Sequence, residues 1–218
     1  MLAWGMALPG VSPAQVDTVW APKRLFTINP ISLIDAFGPA SVRLGVEQQL
    51  STDFSVAVEA SAFKQYLFTG VGEDLQGAGL RFSTLFWLRR MPRYAKALSL
   101  DMVYKHTAGE ARDSIKLDGV EPYRHSYQLD RRAMLVRLCF VEQRYWGKSW
   151  WTELYYGAGI RFKRAMATGI TDAELDARDF SAGTDNDNYL IPFMHEVGAF
   201  IHPDLVIGVR FGLAPRTR

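Results

Sequence analysis

Three histidines could take part in acid–base or nucleophilic chemistry, and two of them lie beside a possible partner. His125 precedes Ser126 and His195 precedes Glu196, whereas His106 closes an alternating segment. A serine hydrolase needs a hydroxyl, an imidazole and a carboxylate within hydrogen-bonding distance of one another. Neighbours along a β-strand point to opposite faces, so these pairs are not expected to meet. The sequence has no nucleophile elbow either, and we therefore assign no catalytic residue.

The acidic segment of residues 172–188 has carboxylates, which are the hard oxygen ligands that calcium prefers. It lacks the spaced acids and the central glycine of an EF-hand loop, so we interpret it as a solvated loop. Cys139 is the single cysteine, which excludes an internal disulfide framework and a cysteine-based zinc site. We predict no metal and no cofactor.

The composition excludes several classes of protein. The chain has 218 residues, of which 48% are hydrophobic, too many for a disordered protein. No run approaches the length of about 18 apolar residues that a membrane-spanning helix needs. The 25 basic and 23 acidic residues leave a net charge of +2, without the concentrated basic excess of a nucleic-acid binder. Soluble globular domains and membrane β-barrels remain.

Strands must position these residues, because two-residue alternation of apolar and polar side chains dominates from Ser41 to Phe211. The predicted strands are built around residues 42–46, 54–62, 80–88, 98–104, 134–140, 154–162, 197–201 and 205–211. Short connections fall near residues 51, 92, 147 and 203, the last being a turn at His202–Asp204. Long polar connections cover residues 67–77, 107–130 and 165–188. Short turns at one end and long loops at the other predict an all-β fold, an eight-stranded antiparallel up-and-down transmembrane β-barrel.

The narrow interior of an eight-stranded barrel indicates which face points inward. Strand-centre glycines such as Gly45, Gly157 and Gly208 share the charged face, and small residues belong where space is short. The apolar face carries bulky side chains suited to lipid. Acids and bases confined together neutralise one another, which lowers the cost of burying charge. We predict a lumen charge network of Arg43, Glu47, Glu59, Arg81, Asp101, Lys105, Arg137, Glu153, Arg161, Glu196 and Arg210.

Aromatic residues near the strand ends are predicted to form the girdles that mark membrane interfaces. They are Tyr66, Phe68, Trp87, Tyr94, Tyr104, Tyr145, Trp146, Trp150, Trp151 and Tyr189. The pairs Arg89–Arg90 and Arg131–Arg132 are interpreted as interface anchors that contact lipid headgroup phosphates. Cys139 lies on the predicted inner face as a small buried residue.

The chain divides into four predicted segments. Residues 1–14 are apolar and end in Ser12-Pro13-Ala14, which is typical of a signal-peptide remnant. Residues 15–40 are predicted to form a tether with a possible leading strand at Leu25–Ile34, residues 41–213 the barrel and residues 214–218 a tail. The leading strand would make nine, whereas bacterial single-chain barrels have even strand numbers.

Three stretches carry a resemblance to a known group of proteins. They are Leu25–Ile34 with its Asn29-Pro30, Val42–Gln48 with Glu47, and the closing run Ile207–Phe211. Over residues 24 to 211 the chain resembles small bacterial outer-membrane barrels of the OmpA and OmpX type, and among them a family of unknown function. The closing run looks like the C-terminal strand signal of such proteins, although seven residues follow Phe211.

This resemblance implies a protein of the Gram-negative outer membrane whose partners are outer-membrane lipid, the barrel-assembly machinery during insertion and other envelope proteins. Our leading hypothesis is a structural or interaction protein whose lumen is plugged by the charge network and whose loops or turns dock onto envelope components. A barrel enzyme that modifies lipid, of the lipid A deacylase or acyltransferase type, is the alternative. A soluble ligand-binding barrel resembling lipocalins is the third hypothesis. Nucleic acid is not an expected partner.

Overall fold

The computed structural model describes residues 24–29, 41–64, 74–91, 93–146, 149–177 and 197–213. Over these ranges the fold is all-β, with one short helix, α1 (Asp172–Asp176). The strands are β1 (Arg24–Asn29), β2 (Ser41–Gln49), β3 (Phe54–Lys64), β4 (Asp74–Met91), β5 (Tyr94–Ile115), β6 (Tyr123–Trp146), β7 (Trp150–Thr168) and β8 (Gly198–Leu213). No helix within the described ranges is long and apolar enough to cross a membrane.

The eight strands form one closed antiparallel ring in which each strand pairs with the next along the chain. β1 closes the ring by pairing with β8, with Phe26 opposite Leu213 and Ile28 opposite Phe211. The predicted all-β, eight-stranded, up-and-down antiparallel topology is therefore confirmed. The first residue of β1, Arg24, and the last residue of β8, Leu213, lie at the same rim of the ring. This rim also carries the short β2–β3, β4–β5 and β6–β7 connections, and we call it the turn rim.

The prediction for the last two strands was wrong, because residues 198–213 form the single strand β8. The alternation continues through the predicted turn, with His202 and Asp204 facing inward and Pro203 facing outward opposite Ile160. Proline lacks an N–H and is tolerated at strand edges, and among the described residues β8 pairs with β1 only over 211–213. β1 takes the place of the lost strand, which restores an even number.

The connection predicted over residues 107–130 was also wrong over most of its length. β5 and β6 continue as a hairpin to Ile115 and from Tyr123, so only 116–122 connect them. Polarity inverts along this extension: the outer residues are polar, while Ala111, Tyr127 and Leu129 form a small buried cluster inside. Polar outward positions gave the extension the composition of a loop. We call this end of the ring the hairpin rim.

Between the two rims the ring is apolar outside and charged inside. Buried acids and arginines face the interior beside an apolar layer that includes Leu85, Trp87 and Val141. The exposed outer face of β4–β7 forms a continuous surface that we call the apolar belt. It comprises Leu80, Phe82, Phe86, Leu100, Met102, Tyr104, Met134, Leu138, Phe140, Leu154, Tyr156, Ile160 and Phe162.

Candidate functional site: the interior charge network

The interior of the ring gathers most of the charged residues predicted for the lumen. Those that face inward and are buried are Glu47, Glu59, Arg81, Asp101, Arg137, Glu153 and Arg210. Arg43, Lys105 and Arg161 are half-buried on the same face. Glu196 lies outside the described residues, as do the predicted signal-peptide remnant and the C-terminal tail.

The first cluster of this network surrounds Asp101 of β5. Arg81 Nη2 of β4 lies 2.5 Å from Asp101 Oδ2, and Ser99 Oγ donates a hydrogen bond to Oδ1 over 2.5 Å. Cys139 Sγ of β6 donates a longer hydrogen bond to Oδ2 over 3.5 Å. Each carboxylate oxygen of Asp101 thus has a donor, which is the condition under which a charge can be buried.

The second cluster surrounds Asp204 of β8. Arg137 of β6 donates from Nε to Asp204 Oδ2, and Arg161 Nη2 of β7 lies 2.5 Å from Oδ1. Gly159 of β7 lies between Arg137 and Asp204 in the register. A Cβ at Gly159 would come within 2.9 Å of Arg137 Cγ and 2.0 Å of the Val136 carbonyl oxygen, so glycine opens the path for this arginine.

The third cluster joins opposite sides of the ring near the turn rim. Gln143 Nε2 of β6 donates to Glu47 Oε2 of β2 over 3.1 Å and to Glu153 Oε2 of β7 over 2.9 Å. Tyr145 donates from its hydroxyl to Gln143 Oε1 over 2.8 Å. Arg210 Nη2 of β8 lies 3.0 Å from Glu153 Oε1. Since β2 and β6 lie on opposite sides of the eight-stranded ring, one amide bridges the interior.

Tyr155 occupies the space between these clusters. The guanidinium carbon of Arg81 lies 5.0 Å from the centre of the Tyr155 ring, and that of Arg210 lies 4.5 Å from it. Both distances lie within the range of cation–π attraction. Gly208 faces the same ring, since a Cβ there would lie 2.3 Å from the Tyr155 hydroxyl oxygen. Arg210 also approaches Glu59 Oε2 at 3.9 Å, which links β8 to β3.

The arrangement connects distant strands through the interior by charge pairs, an amide bridge and a stacked tyrosine. Asp101, Glu47 and Glu153 accept hydrogen bonds from guanidinium, amide or hydroxyl groups, and Arg81, Arg137 and Arg210 lie beside carboxylates. Desolvation offsets much of the attraction between paired buried charges, so such pairs add little to the free energy of unfolding. Here the pairs Arg137–Asp204 and Arg210–Glu59 connect strands that do not pair with each other. The network crosses the interior from one side of the ring to the other.

Sequence reasoning missed several members of the network. Asp204 falls in the predicted turn at residues 202–204, and the predicted network lacks Gln143, Tyr145 and Tyr155. Strand parity is the signal that finds them: Tyr155 shares a face with Glu153, and Gln143 shares one with Arg137. An inward aromatic is overlooked when aromatic residues near strand ends are read as interface markers.

The same parity corrects the predicted aromatic girdle. Trp87 and Trp151 are 7% and 1% exposed and point into the ring, and Tyr145 faces inward with them. Trp146, Trp150 and Tyr104 are exposed on the outer face, as a girdle requires. Of the remaining predicted members, Tyr94 is half-buried, and Tyr66, Phe68 and Tyr189 lie outside the described residues.

The candidate histidines His106 and His125 lie on different parts of the β5–β6 hairpin. His106 Nε2 lies 2.8 Å from Asp130 Oδ2 on the outer face. His125 donates from Nε2 to the Gly169 carbonyl oxygen over 2.7 Å. In the described part of the chain, neither imidazole has a serine or threonine hydroxyl as its hydrogen-bond partner, and His195 lies outside that part. The geometry offers an imidazole–carboxylate pair without a nucleophile.

The hairpin rim is held by contacts between α1 and the β5–β6 hairpin. Tyr123 donates to Glu174 Oε1 over 2.7 Å, and the Lys116 amide donates to the Ala177 carbonyl oxygen over 2.9 Å. Thr171 and Glu174 form a capping box, in which each side chain accepts from the other's backbone amide. Hydrogen bonds to its carboxylate from the Thr171 amide, the Tyr123 hydroxyl and the Thr171 hydroxyl lower the pKa of Glu174 to about 2.

No protein-family model matches this chain, and neither a curated protein nor a solved structure is detectably similar to it. The residues themselves therefore carry the functional argument.

Proposed function

We propose that this protein is a β-barrel of the bacterial outer membrane that acts as a structural or interaction protein of the cell envelope. The observation that carries the proposal is the reversed polarity of the ring. Leu138, Leu205 and Ile207 are 52%, 83% and 78% exposed on the outer face, while Asp101 and Glu153 are 1% exposed inside. A ring folded in water would bury the first set and expose the second.

The height of the apolar belt supports a bilayer as its environment. On β6 the polar residues Arg132 and Glu142 flank outward-facing apolar residues, and on β5 His106 and Lys96 do the same. Each flanked stretch spans about 33 Å along the strand at about 3.3 Å per residue. With strands tilted by about 40°, that length corresponds to a belt about 25 Å tall, the height typical of outer-membrane barrels.

The charge network that crosses the interior favours a structural or docking role over transport or ligand storage. Tyr155, Gln143 and the arginines cross the space through which a solute would pass. A soluble barrel of the lipocalin type needs an apolar cavity for its ligand, whereas this interior is lined with buried charge. At the hairpin rim, Glu174 of α1 accepts from Tyr123 of β6, and the Ala177 carbonyl oxygen accepts from the Lys116 amide that follows β5, which provides an ordered surface beyond the belt.

Reconstitution tests the proposal. The protein refolded into detergent should migrate on a gel at a position that shifts on boiling, and it should enter phosphatidylcholine vesicles in a form protected from protease over the belt. A monomer that stays folded and soluble without detergent would overturn the membrane assignment. Assembly with envelope proteins is tested by crosslinking from the exposed residue Arg112 of the hairpin, with the belt residue Phe162 as the control position.

A further inference from the structure

A row of basic side chains crosses the outer face where the apolar belt ends toward the hairpin rim. His106 of β5 lies opposite Arg132 of β6, and Arg132 lies opposite Arg164 of β7. Residues directly opposite on neighbouring strands share a face with Cβ atoms about 5 Å apart. The row is flanked by Ala78 on β4 and Ala199 on β8, whose short side chains leave room above it.

The row retains cationic groups that are directed outward. Asp130 Oδ2 lies 2.8 Å from His106, and Asp130 Oδ1 accepts from Arg132 Nε over 3.1 Å. That hydrogen bond uses one side of the Arg132 guanidinium, whose side chain is 52% exposed. The Arg164 side chain is exposed and makes no hydrogen bond or ion pair with another residue in the described part of the chain. The row therefore has two arginines, and its neighbour Asp130 supplies one carboxylate.

The opposite edge of the belt has a different charge pattern. There Lys96 Nζ lies 3.1 Å from Glu142 Oε1, so the corresponding residues of β5 and β6 neutralise each other. Toward the hairpin rim, by contrast, Arg132 and Arg164 lie directly opposite each other just beyond the apolar residues Met134 and Phe162 of the belt. In a bilayer this edge lies at the level of the headgroups.

We propose that Arg132 and Arg164 bind the phosphate of a lipid headgroup, with Asp130 orienting Arg132. This inference rests on the proposed function, because it places the row at the membrane surface. The planar guanidinium suits phosphate recognition, since it offers paired N–H donors in a fixed geometry. His106 contacts the other oxygen of the Asp130 carboxylate, at 2.8 Å from Oδ2.

Native mass spectrometry of the protein in non-ionic detergent tests the site. Phosphatidic acid is titrated against diacylglycerol with the same acyl chains, and the lipid-bound fraction is measured. The double variant Arg132→Gln/Arg164→Gln should bind phosphatidic acid about 30-fold more weakly, on the scale of about 5-fold per arginine near an anionic surface. Diacylglycerol binding should not change. Arg124→Gln is the matched control, because Arg124 is exposed on the same face of β6 but lies eight residues beyond the row.

Each other outcome is decisive. An unchanged affinity of the double variant, or an equal loss in Arg124→Gln, would overturn the site in favour of general charge attraction. If millimolar inorganic phosphate displaced bound phosphatidic acid as effectively as additional phosphatidic acid does, the assignment to a lipid headgroup would be overturned. The double variant should still enter phosphatidylcholine vesicles, and a wild-type protein that fails to enter them would instead overturn the proposed function.

Discussion

Arg137 of β6 reaches across β7 to bond with Asp204 of β8, and Gly159 provides the path between them. Asp204 is 3% exposed, and its other oxygen accepts from Arg161. One carboxylate therefore compensates two guanidinium groups on different strands. Side chains therefore connect β8 to both β6 and β7, in addition to the backbone pairing of β8 with β7.

Replacing Asp204 with asparagine should destabilise the protein strongly. The change leaves Arg137 buried without its counter-charge, and removing one partner of a buried pair costs about 3–5 kcal/mol. The double variant Asp204→Asn/Arg137→Gln should lose less than the sum of the single variants, because the remaining charge is removed as well. Urea unfolding in detergent micelles, followed by tryptophan fluorescence, measures these differences. Additive losses would show that the two residues act independently.

Alternation in the sequence predicts the strands of this fold because a half-buried strand has a period of two whatever solvent covers it. Parity also predicts that Glu153 and Arg210 share the inner face, and the register places them opposite each other. The steric argument from glycine indicates the inner face, since Gly159 and Gly208 make room for Arg137 and Tyr155.

The features that the sequence did not predict are those where the local composition indicates a turn or loop but the closed ring continues the strand. His202-Pro203-Asp204 has the composition of a turn, yet Pro203 pairs with Ile160 within β8. The extension of β5 beyond His106 is polar outside, which resembles a loop, but Ala111 is fully buried within. Contacts between opposite strands, such as Gln143 with Glu47, depend on ring closure and cannot be read from periodicity.

An arginine at the middle of the apolar belt should be costly only in a bilayer. Leu138 is 52% exposed near the centre of the belt, and Leu138→Arg should destabilise the protein by about 2–4 kcal/mol in phosphatidylcholine bilayers. Gln128→Arg, on the same face of β6 but beyond the belt, should cost less than about 1 kcal/mol. Unfolding in bilayers measures both changes. Equal stability of the two variants would contradict the bilayer assignment.

The attachment of α1 to the β5–β6 hairpin should weaken in strong acid. The pKa of Glu174 is about 2 when folded, below its ordinary value of 4.5, because Thr171 and Tyr123 donate to the carboxylate. The folded state thus gains stability above pH 4.5 and loses it as the pH falls toward about 2. Hydrogen exchange of the α1 amides should rise, relative to the intrinsic rate, across that interval. Glu174→Gln should remove the pH dependence, and an identical acid response in that variant would assign the effect to other groups.

Tyr155 should control whether the interior conducts ions. Its ring lies between Arg81 and Arg210, and truncation removes the side chain that separates these charge clusters. In planar lipid bilayers the wild-type protein should show little conductance, whereas Tyr155→Ala should give larger and more frequent current steps. Tyr156→Ala is the matched control, because Tyr156 is 41% exposed on the outer face and should leave the conductance unchanged. Heat-dependent gel migration verifies that each variant has folded before its conductance is compared. A folded Tyr155→Ala variant with wild-type conductance would show that this tyrosine does not block the lumen, and high wild-type conductance would contradict the plugged interior itself.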